Sequence, residues 1–534
     1  MRINRVVPRV ATSPLKSSHN SGTINHEGGL GYNSDAKSML FRLGVNLFAG
    51  KEDTYYESGK SRDDTFTKLV ETVAIQDPKW IAGFLGWLRK DGYIRTASIM
   101  GAAHAVHARL EAGAVDTTHN VRGYNRTIID SVCQRADEPG ELAAYWTANF
   151  GHTLPKPVKR GLADAAQRLY NEYSLMKYDT ASHAWRFGDV IQMARVAPNA
   201  SFQDDLFGYA IARRYGNDFD LGDSSLKMVR SNLNLRNMAV HDATVLLNPE
   251  FLKQAGMTWE DTLSLAGTRL AKKAIWESFI DSGLLGHMAM LRNLRNMEEA
   301  GISMSHIGKV QDAISDPEIV AKGMQFPFRY YSAFKNVSGA QWSWPLEQAL
   351  NLSVRNIPVL DGATDIYIDT SGSMAAPLSA KGTMRRDEAA AIFGTAVALK
   401  NAGRVRLFAF ATSWQEYNVP AGGSVLKLTE KIMRDNGKIG YGTETVNALR
   451  ATNNGAKRVM IFTDGQSFSS RHGTLDMQVK PGTWMYGFDL AGYQTFDVPS
   501  GEGRIHQLAG LSDSTFKMIP LLERQGTASW PWEG

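Results

Sequence analysis

The stretch Asp365-Ile366-Tyr367-Ile368-Asp369-Thr370-Ser371-Gly372-Ser373-Met374 decides the fold of the C-terminal third of this chain. Its first half is an apolar run that reads as a strand. Its second half is a loop at the strand's carboxyl end, with oxygen donors at alternate positions: the Asp369 carboxylate and the Ser371 and Ser373 hydroxyls. Hard divalent cations take such donors. Tyr441-Gly442-Thr443 adds a third hydroxyl, and Val459-Met460-Ile461-Phe462-Thr463-Asp464-Gly465 adds a second carboxylate at a strand end. Asp369, Ser371, Ser373, Thr443 and Asp464 include no His, no Cys and no nucleophile beside a base. The set is therefore expected to hold a divalent cation, Mg²⁺ first, and to carry no catalysis. Ser371, Ser373 and Thr443 would be direct ligands, with the Asp residues acting partly through water.

The surroundings alternate between strand and helix. Residues 387–400 form an apolar helix with acids at its start and Lys400 at its end, matching the helix dipole. Residues 405–411, 458–463 and 484–488 read as strands, 445–451 as a helix and 515–524 as a closing helix. This alternation predicts a doubly wound parallel sheet, Rossmann-like, with ligands at the carboxyl ends of its strands. The metal motifs fall at such ends.

At 534 residues the chain exceeds one core and is expected to form at least two domains. No apolar run approaches the roughly 20 residues of a membrane span, and residues 1–21 lack the apolar segment of a signal peptide. The single cysteine, Cys133, fits a reducing, cytoplasmic setting and a buried, inert role. The net charge of +5 is spread evenly. Residues 365–534 carry 18 basic and 16 acidic side chains, against 41 and 38 in the remainder. Any polyanion site must therefore come from local clusters. The first 26 residues hold Arg2, Arg5, Arg9 and Lys16 and read as a basic, disordered tail, assigned to 1–28.

Between residues 29 and 361 apolar positions recur at helical spacing, as in 65–74, 79–90, 99–112, 121–135, 141–150, 157–173, 187–196 and 204–215. Helices of this length with short connections predict stacked helix pairs of the HEAT-like repeat type. His104 and His107 lie i, i+3 with no third ligand evident, so they are expected to pack rather than to bind metal. Tyr330, Tyr331, Trp342 and Trp344 are read as core aromatics.

Two resemblances join these halves. The Asp369-Thr370-Ser371-Gly372-Ser373 loop, with Thr443 and Asp464 following in order, resembles the metal-ion-dependent adhesion site of von Willebrand factor A domains. Met288-Ala289-Met290-Leu291-Arg292-Asn293-Leu294-Arg295-Asn296-Met297 is similar to the Leu-Arg-Asn-Leu helix of the TROVE module. Thr54-Tyr55-Tyr56 after Gly50 resembles that module's early turn, and the segment from Trp185 to Pro198 resembles its Trp-containing helix. A TROVE module at 29–361 followed by a von Willebrand A domain at 362–534 is the architecture of the Ro ribonucleoprotein family, bacterial members included. The resemblance implies an all-α ring of HEAT-like repeats, a monomer closed by the α/β domain. It implies that the outer face binds Y RNA and that the hole takes single-stranded 3′ ends of misfolded non-coding RNA. It also implies cooperation with a 3′-to-5′ exoribonuclease of the polynucleotide phosphorylase type, tethered through the Y RNA.

Candidate RNA contacts are the basic clusters. Lys156, Lys159 and Arg160 open a helix whose N-terminal amides also favour phosphate. Lys177, His183, Arg186 and Arg195 surround the Trp185 helix. The family's Y-RNA histidine falls at Arg195, and two of its basic positions fall at Tyr178 and Ser182. Arg236, Arg292 and Arg295 complete the set. Two rival functions are a chelatase accessory protein and a Mg²⁺-dependent nuclease built on Asp369 and Asp464. The chain has no Gly-x-x-x-x-Gly-Lys-Ser/Thr loop to support the first, and hydroxyls rather than carboxylates dominate the site that the second would need.

Overall fold

The computed structural model describes residues 10–46, 55–114, 123–323, 325–355, 357–378, 384–510 and 513–533. The chain divides into two compact units. One comprises Met1–Leu69, Gln325–Ser332 and Glu347–Gly534, and the other Val70–Met324 and Ala333–Leu346. Thus the described residues before Val70 cluster with the α/β fold, whereas the sequence reading placed those from 29 onward with the helical domain.

The α/β unit begins with strands β1 (Thr23–Ile24) and β2 (Leu30–Asn33), followed by β3 (Thr364–Asp369), β4 (Val405–Phe410), β5 (Trp414–Tyr417), β6 (Arg458–Thr463), β7 (Trp484–Asp489), β8 (Thr495–Phe496) and β9 (Ile505–Ala509). Six of them form one sheet in the order β5-β4-β3-β6-β7-β9. Strand β3 pairs in parallel with β4 and β6, so the metal-motif loops leave neighbouring central strands at the same edge. β3, β6 and β7 are buried at every position, as strands covered on both faces are, and their buried charges Asp365 and Arg458 are paired with Arg406 and Glu523. Helix Arg386–Lys400 packs on β3. It is capped where the Arg385 backbone N–H donates to the Glu388 carboxylate at 3.0 Å.

One expectation needs correction here, and another is met irregularly. The sheet is not wholly parallel, because the chain after β4 returns as β5, an antiparallel edge strand pairing Phe410 with Trp414. The closing helix at 515–524 is present but irregular: the chain runs on from a 3₁₀ turn (Asp513–Lys517) through one α turn (Met518–Pro520) into a π turn (Leu521–Gln525), and Pro520 has no N–H for a regular α ladder.

The disordered tail is corrected as well. Residues 1–9, with Arg2, Arg5 and Arg9, lie outside the described residues, but 10–28 are built into the α/β unit. Leu15 is fully buried, Ser17 donates its N–H to the Ser500 carbonyl at 2.9 Å, and β1-β2-β8 form a second, antiparallel sheet. The following helix, Ala36–Val45, carries the fully buried Arg42. Arg42 donates to Asp489 (2.7 Å), Ser34 Oγ (2.7 Å) and the Tyr493 carbonyl (2.8 Å). Asp489 also accepts from the N–H groups of Ala491 and Gly492.

In the helical unit, Pro78–Lys90 packs on Tyr124–Ser131, which packs on Lys156–Leu169, which packs on Phe187–Ala194. Alternate helices are neighbours, which is the layering of a helical repeat. A Cβ on Gly161 would lie 2.6 Å from Ile129 Cβ and 2.8 Å from the Arg126 carbonyl, so only glycine permits that close helix crossing. His104 bonds Glu71 (2.7 Å) and Tyr145 (3.0 Å), and His107 stacks on Phe150 at 4.0 Å. Cys133 is buried, and burial pushes its thiol well above the ordinary range, so it is unreactive. Trp342 and both tyrosines are core, whereas Trp344 is 66% exposed. No helix among the described residues is long and apolar enough to cross a membrane.

Arg42→Ala leaves Asp489 buried without its cation. Urea unfolding followed by near-UV circular dichroism should show a loss of about 3–5 kcal/mol for the α/β transition. A paired Arg42→Met, Asp489→Leu replacement should recover much of it.

Candidate functional site

The cation motif assembles as its order in the chain predicts. Asp369, Ser371, Ser373, Thr443 and Asp464 are each no more than 3% exposed. Asp369 ends β3 and is held at both oxygens. The Ser371 N–H donates to one at 2.9 Å, and the Thr463 hydroxyl at the end of β6 donates to the other at 2.6 Å. Ser371 and Ser373 Oγ lie 3.2 Å apart. The Gly372 N–H donates to the Tyr441 carbonyl at 2.8 Å, which draws the Thr443 loop onto the same edge. Asp464 accepts from the Gln466 N–H at 3.1 Å through one oxygen, and its other oxygen is buried with no partner.

That unpartnered carboxylate oxygen beside paired hydroxyls is the arrangement a divalent cation satisfies. Burial, and then the Asp369 charge, push the Asp464 carboxyl well above the ordinary carboxylate range. Burial likewise raises Asp369. A third acid, which the sequence did not single out, lies close by. Asp497, just after β8, is buried with both oxygens unpartnered, and burial followed by the Asp369 charge raises it to about 7. Arg386 carries the balancing charge toward Asp464.

The basic candidates lie on the helical unit and behave differently from one another. Lys156, Lys159 and Arg160 open helix Lys156–Leu169, with Lys156 and Arg160 exposed. Lys177, exposed in the last turn of Glu172–Tyr178, sits over the Tyr173 and Tyr178 rings at 5.5 and 5.2 Å. It lines a cleft of 810 Å³ together with Tyr178, Tyr209, Arg213, Arg236 and Asp261. Arg236 is held by Asn232 (2.7 Å) and Asp261 (3.0 Å). Tyr209 and Arg213, on helix Ser201–Tyr215, were missed from sequence; the Arg213-Arg214 doublet at the helix end was the available signal.

Arg186 is removed from the candidates. Its guanidinium is 10% exposed and forks onto the buried Asp179, which also accepts from the Phe187 N–H. This fixes the start of helix Phe187–Ala194. Arg195, at that helix's other end, is exposed and left-handed (φ 54°), a conformation usually left to glycine. His183 is half-buried in the preceding loop. Arg292 and Arg295 are exposed on helix His287–Ala300, Arg295 in a surface pair with Glu299 at 3.5 Å. The Thr54 part of the Thr54-Tyr55-Tyr56 motif, and Gly50, lie outside the described residues.

Residues 252–345 match the TROVE domain family. The matched segment carries a TROVE domain, and the chain as a whole has the fold of a solved Ro protein. The fold is shown by the crystal structure of the Deinococcus radiodurans Ro (RSR) protein, which superposes with a TM-score of 0.58 at 13% identity over 91% of this chain and 99% of that one. The matched TROVE segment contains the 288–297 helix; the Trp185 segment lies outside it. Over 80 residues (15% of this chain) the chain is 42% identical to mouse telomerase protein component 1, and over 76 residues (14%) it is 45% identical to the rat protein. In each case the alignment spans only 3% of the relative's length.

The raised carboxyls give the cation site a definite pH behaviour. Without metal, Asp369 and Asp464 stabilise the fold below the unfolded carboxylate pKa, and that contribution is lost as pH rises through their raised folded values. A bound Mg²⁺ removes the loss. The rise in melting temperature on adding Mg²⁺ should therefore be small near pH 5 and grow toward about pH 8, with Asp464→Ala abolishing it at every pH.

Proposed function

We propose that this TROVE protein is an RNA-binding component of a ribonucleoprotein that handles small non-coding RNA, and that it binds without catalysing. The observation that carries this reading is the cleft of Lys177, Tyr178, Tyr209, Arg213 and Arg236, with the exposed Arg195 presented in a left-handed conformation. Cations supply phosphate neutralisation, and the tyrosine rings supply faces on which unpaired bases stack. The TROVE match supports the assignment to RNA rather than to another polyanion.

In finer detail, the helical unit takes a small structured RNA of the Y type on its basic surface. Single-stranded 3′ ends of misfolded RNA enter the opening that the Ro resemblance implies. Recognition is by shape and strandedness, because a single strand is admitted where a duplex is not. A 3′-to-5′ exoribonuclease of the polynucleotide phosphorylase type, recruited through the Y RNA, performs the degradation. The cation site then holds Mg²⁺ as a structural or docking element. Its donors, two carboxylates among hydroxyls, are arranged to coordinate an ion and lack the carboxylate-rich pair of metal positions used in phosphodiester hydrolysis.

Arg195 separates function from stability. A left-handed non-glycine residue costs roughly 1–2 kcal/mol, so Arg195→Gly should leave the melting temperature unchanged or slightly raised while weakening RNA binding. Filter binding of a small structured RNA should show Lys177→Glu with Arg213→Glu losing at least tenfold in affinity. The slope of log K against log salt should flatten by about one per phosphate contact removed. Unchanged affinity and slope in both variants would take this surface out of the RNA path.

A further inference from the structure

The cleft on the helical unit is not lined by cations and aromatic rings alone. Its 810 Å³ lies inside the range of about 300–1,000 Å³ that holds a small ligand. Lys177 and Tyr178 reach it from the end of helix Glu172–Tyr178, Tyr209 and Arg213 from helix Ser201–Tyr215, and Arg236 from helix Lys227–His241. The remaining wall is the start of helix Trp259–Ala266, and it brings two acids, Glu260 and Asp261. The Thr258 hydroxyl accepts from the Asp261 N–H at 3.1 Å and so fixes this first turn.

The charged side chains of the cleft differ in what already holds them. Asp261 lies 3.0 Å from Arg236, whose Nε donates to Asn232 at 2.7 Å, so these two charges answer each other. Arg213 stands 3.7 Å from Asp179, but that carboxylate is 1% exposed and already taken by Arg186 and the Phe187 N–H. Arg213 therefore keeps donors for a ligand. Glu260 is exposed in the lining and has no hydrogen-bond or ion-pair partner among the described residues.

A free carboxylate weakens a cleft that takes phosphate alone, because it repels the backbone held there. It strengthens one whose ligand presents paired donors. Among unpaired bases only guanine sets two N–H donors side by side, N1–H and the N2 amino group. Adenine and cytosine place one amino donor beside a ring-nitrogen acceptor, and uracil holds its N3–H between two carbonyls. A carboxylate meets a lone pair in each of those three, whereas its two oxygens match the guanine pair in a bidentate contact.

We propose that the cleft takes one unpaired guanosine of the RNA, with Glu260 accepting from guanine N1–H and the N2 amino group. The base stacks on the tyrosine rings, and Lys177 and Arg213 hold the adjoining phosphates. This rests on reading the cleft as an RNA-binding surface, and adds a base that the surface selects at one position.

The test is fluorescence anisotropy with labelled short uridine strands that carry one central guanosine, adenosine, cytidine or inosine, alongside an all-uridine strand. Inosine keeps the N1–H and lacks the N2 amino group. Wild type should bind the guanosine strand at least about fivefold more tightly than the adenosine, cytidine and all-uridine strands, with inosine in between. Glu260→Gln, which turns one acceptor into a donor, should level these affinities, and should bind the all-uridine strand as well as wild type or better. Circular dichroism melts establish that the variant is folded, and the inosine comparison uses wild type alone. Equal affinity of wild type for all strands, inosine bound as tightly as guanosine, or a guanosine preference kept by folded Glu260→Gln overturns the guanine contact while leaving the cleft as an RNA surface. No binding of any strand by wild type, or binding undiminished in the Lys177→Glu, Arg213→Glu variant, overturns the RNA reading of the cleft and the guanine contact with it.

Discussion

Two carboxylates, Asp369 and Asp464, are buried at the ends of adjacent parallel strands, and much of the α/β unit is arranged around the difficulty this creates. Like charges in a dry site repel, and each is expensive to desolvate. The chain meets the difficulty locally with the Thr463 hydroxyl and the Ser371 amide on Asp369. For Asp464 it leaves one oxygen open among hydroxyl donors. We propose that a cation satisfies that oxygen. The register of β3 against β6 makes the juxtaposition unavoidable, since pairing Ile368 with Phe462 delivers both following loops to the same edge.

The same edge explains why the start of the chain belongs to the α/β unit. Asn25, Gly29 and His26 hold the metal loop from one side, and the buried Arg42–Asp489 pair anchors the next helix at the end of β7. The proposed cation site is therefore a junction of several segments of the chain. The proposed recognition surface lies on the helical unit, where Lys177, Arg213 and Arg236 line a cleft together with Tyr178 and Tyr209. Arg195 is proposed to belong to the same surface; its left-handed backbone closes helix Phe187–Ala194 and leaves the side chain exposed.

How much of this was legible in the residues follows from the range of the interactions. Strand β6 was readable to the residue at 458–463, because an unbroken apolar run is a local signal. That Asp369, Ser371, Ser373, Thr443 and Asp464 come together was legible because each sits directly after such a run or in a short hydroxyl-bearing loop. Residues 10–33 were misread as a tail because their strands are two and four residues long and their partners lie more than 400 residues away, which leaves no periodicity to see. Arg186 looked available until Asp179, seven residues earlier, proved to face it across the helix start. Tyr209 and Arg213 were missed for the converse reason: a cleft assembled from several helices has no signature in any one of them.

The central proposal, that this protein holds RNA, is tested most directly by sequencing the RNA that remains on the chain after purification through moderate salt. One or a few small structured non-coding RNAs, enriched far above their cellular share and lost from the Lys177→Glu, Arg213→Glu variant, is the predicted result. RNA that mirrors the cellular pool in composition, or is retained equally by the variant, would contradict the account.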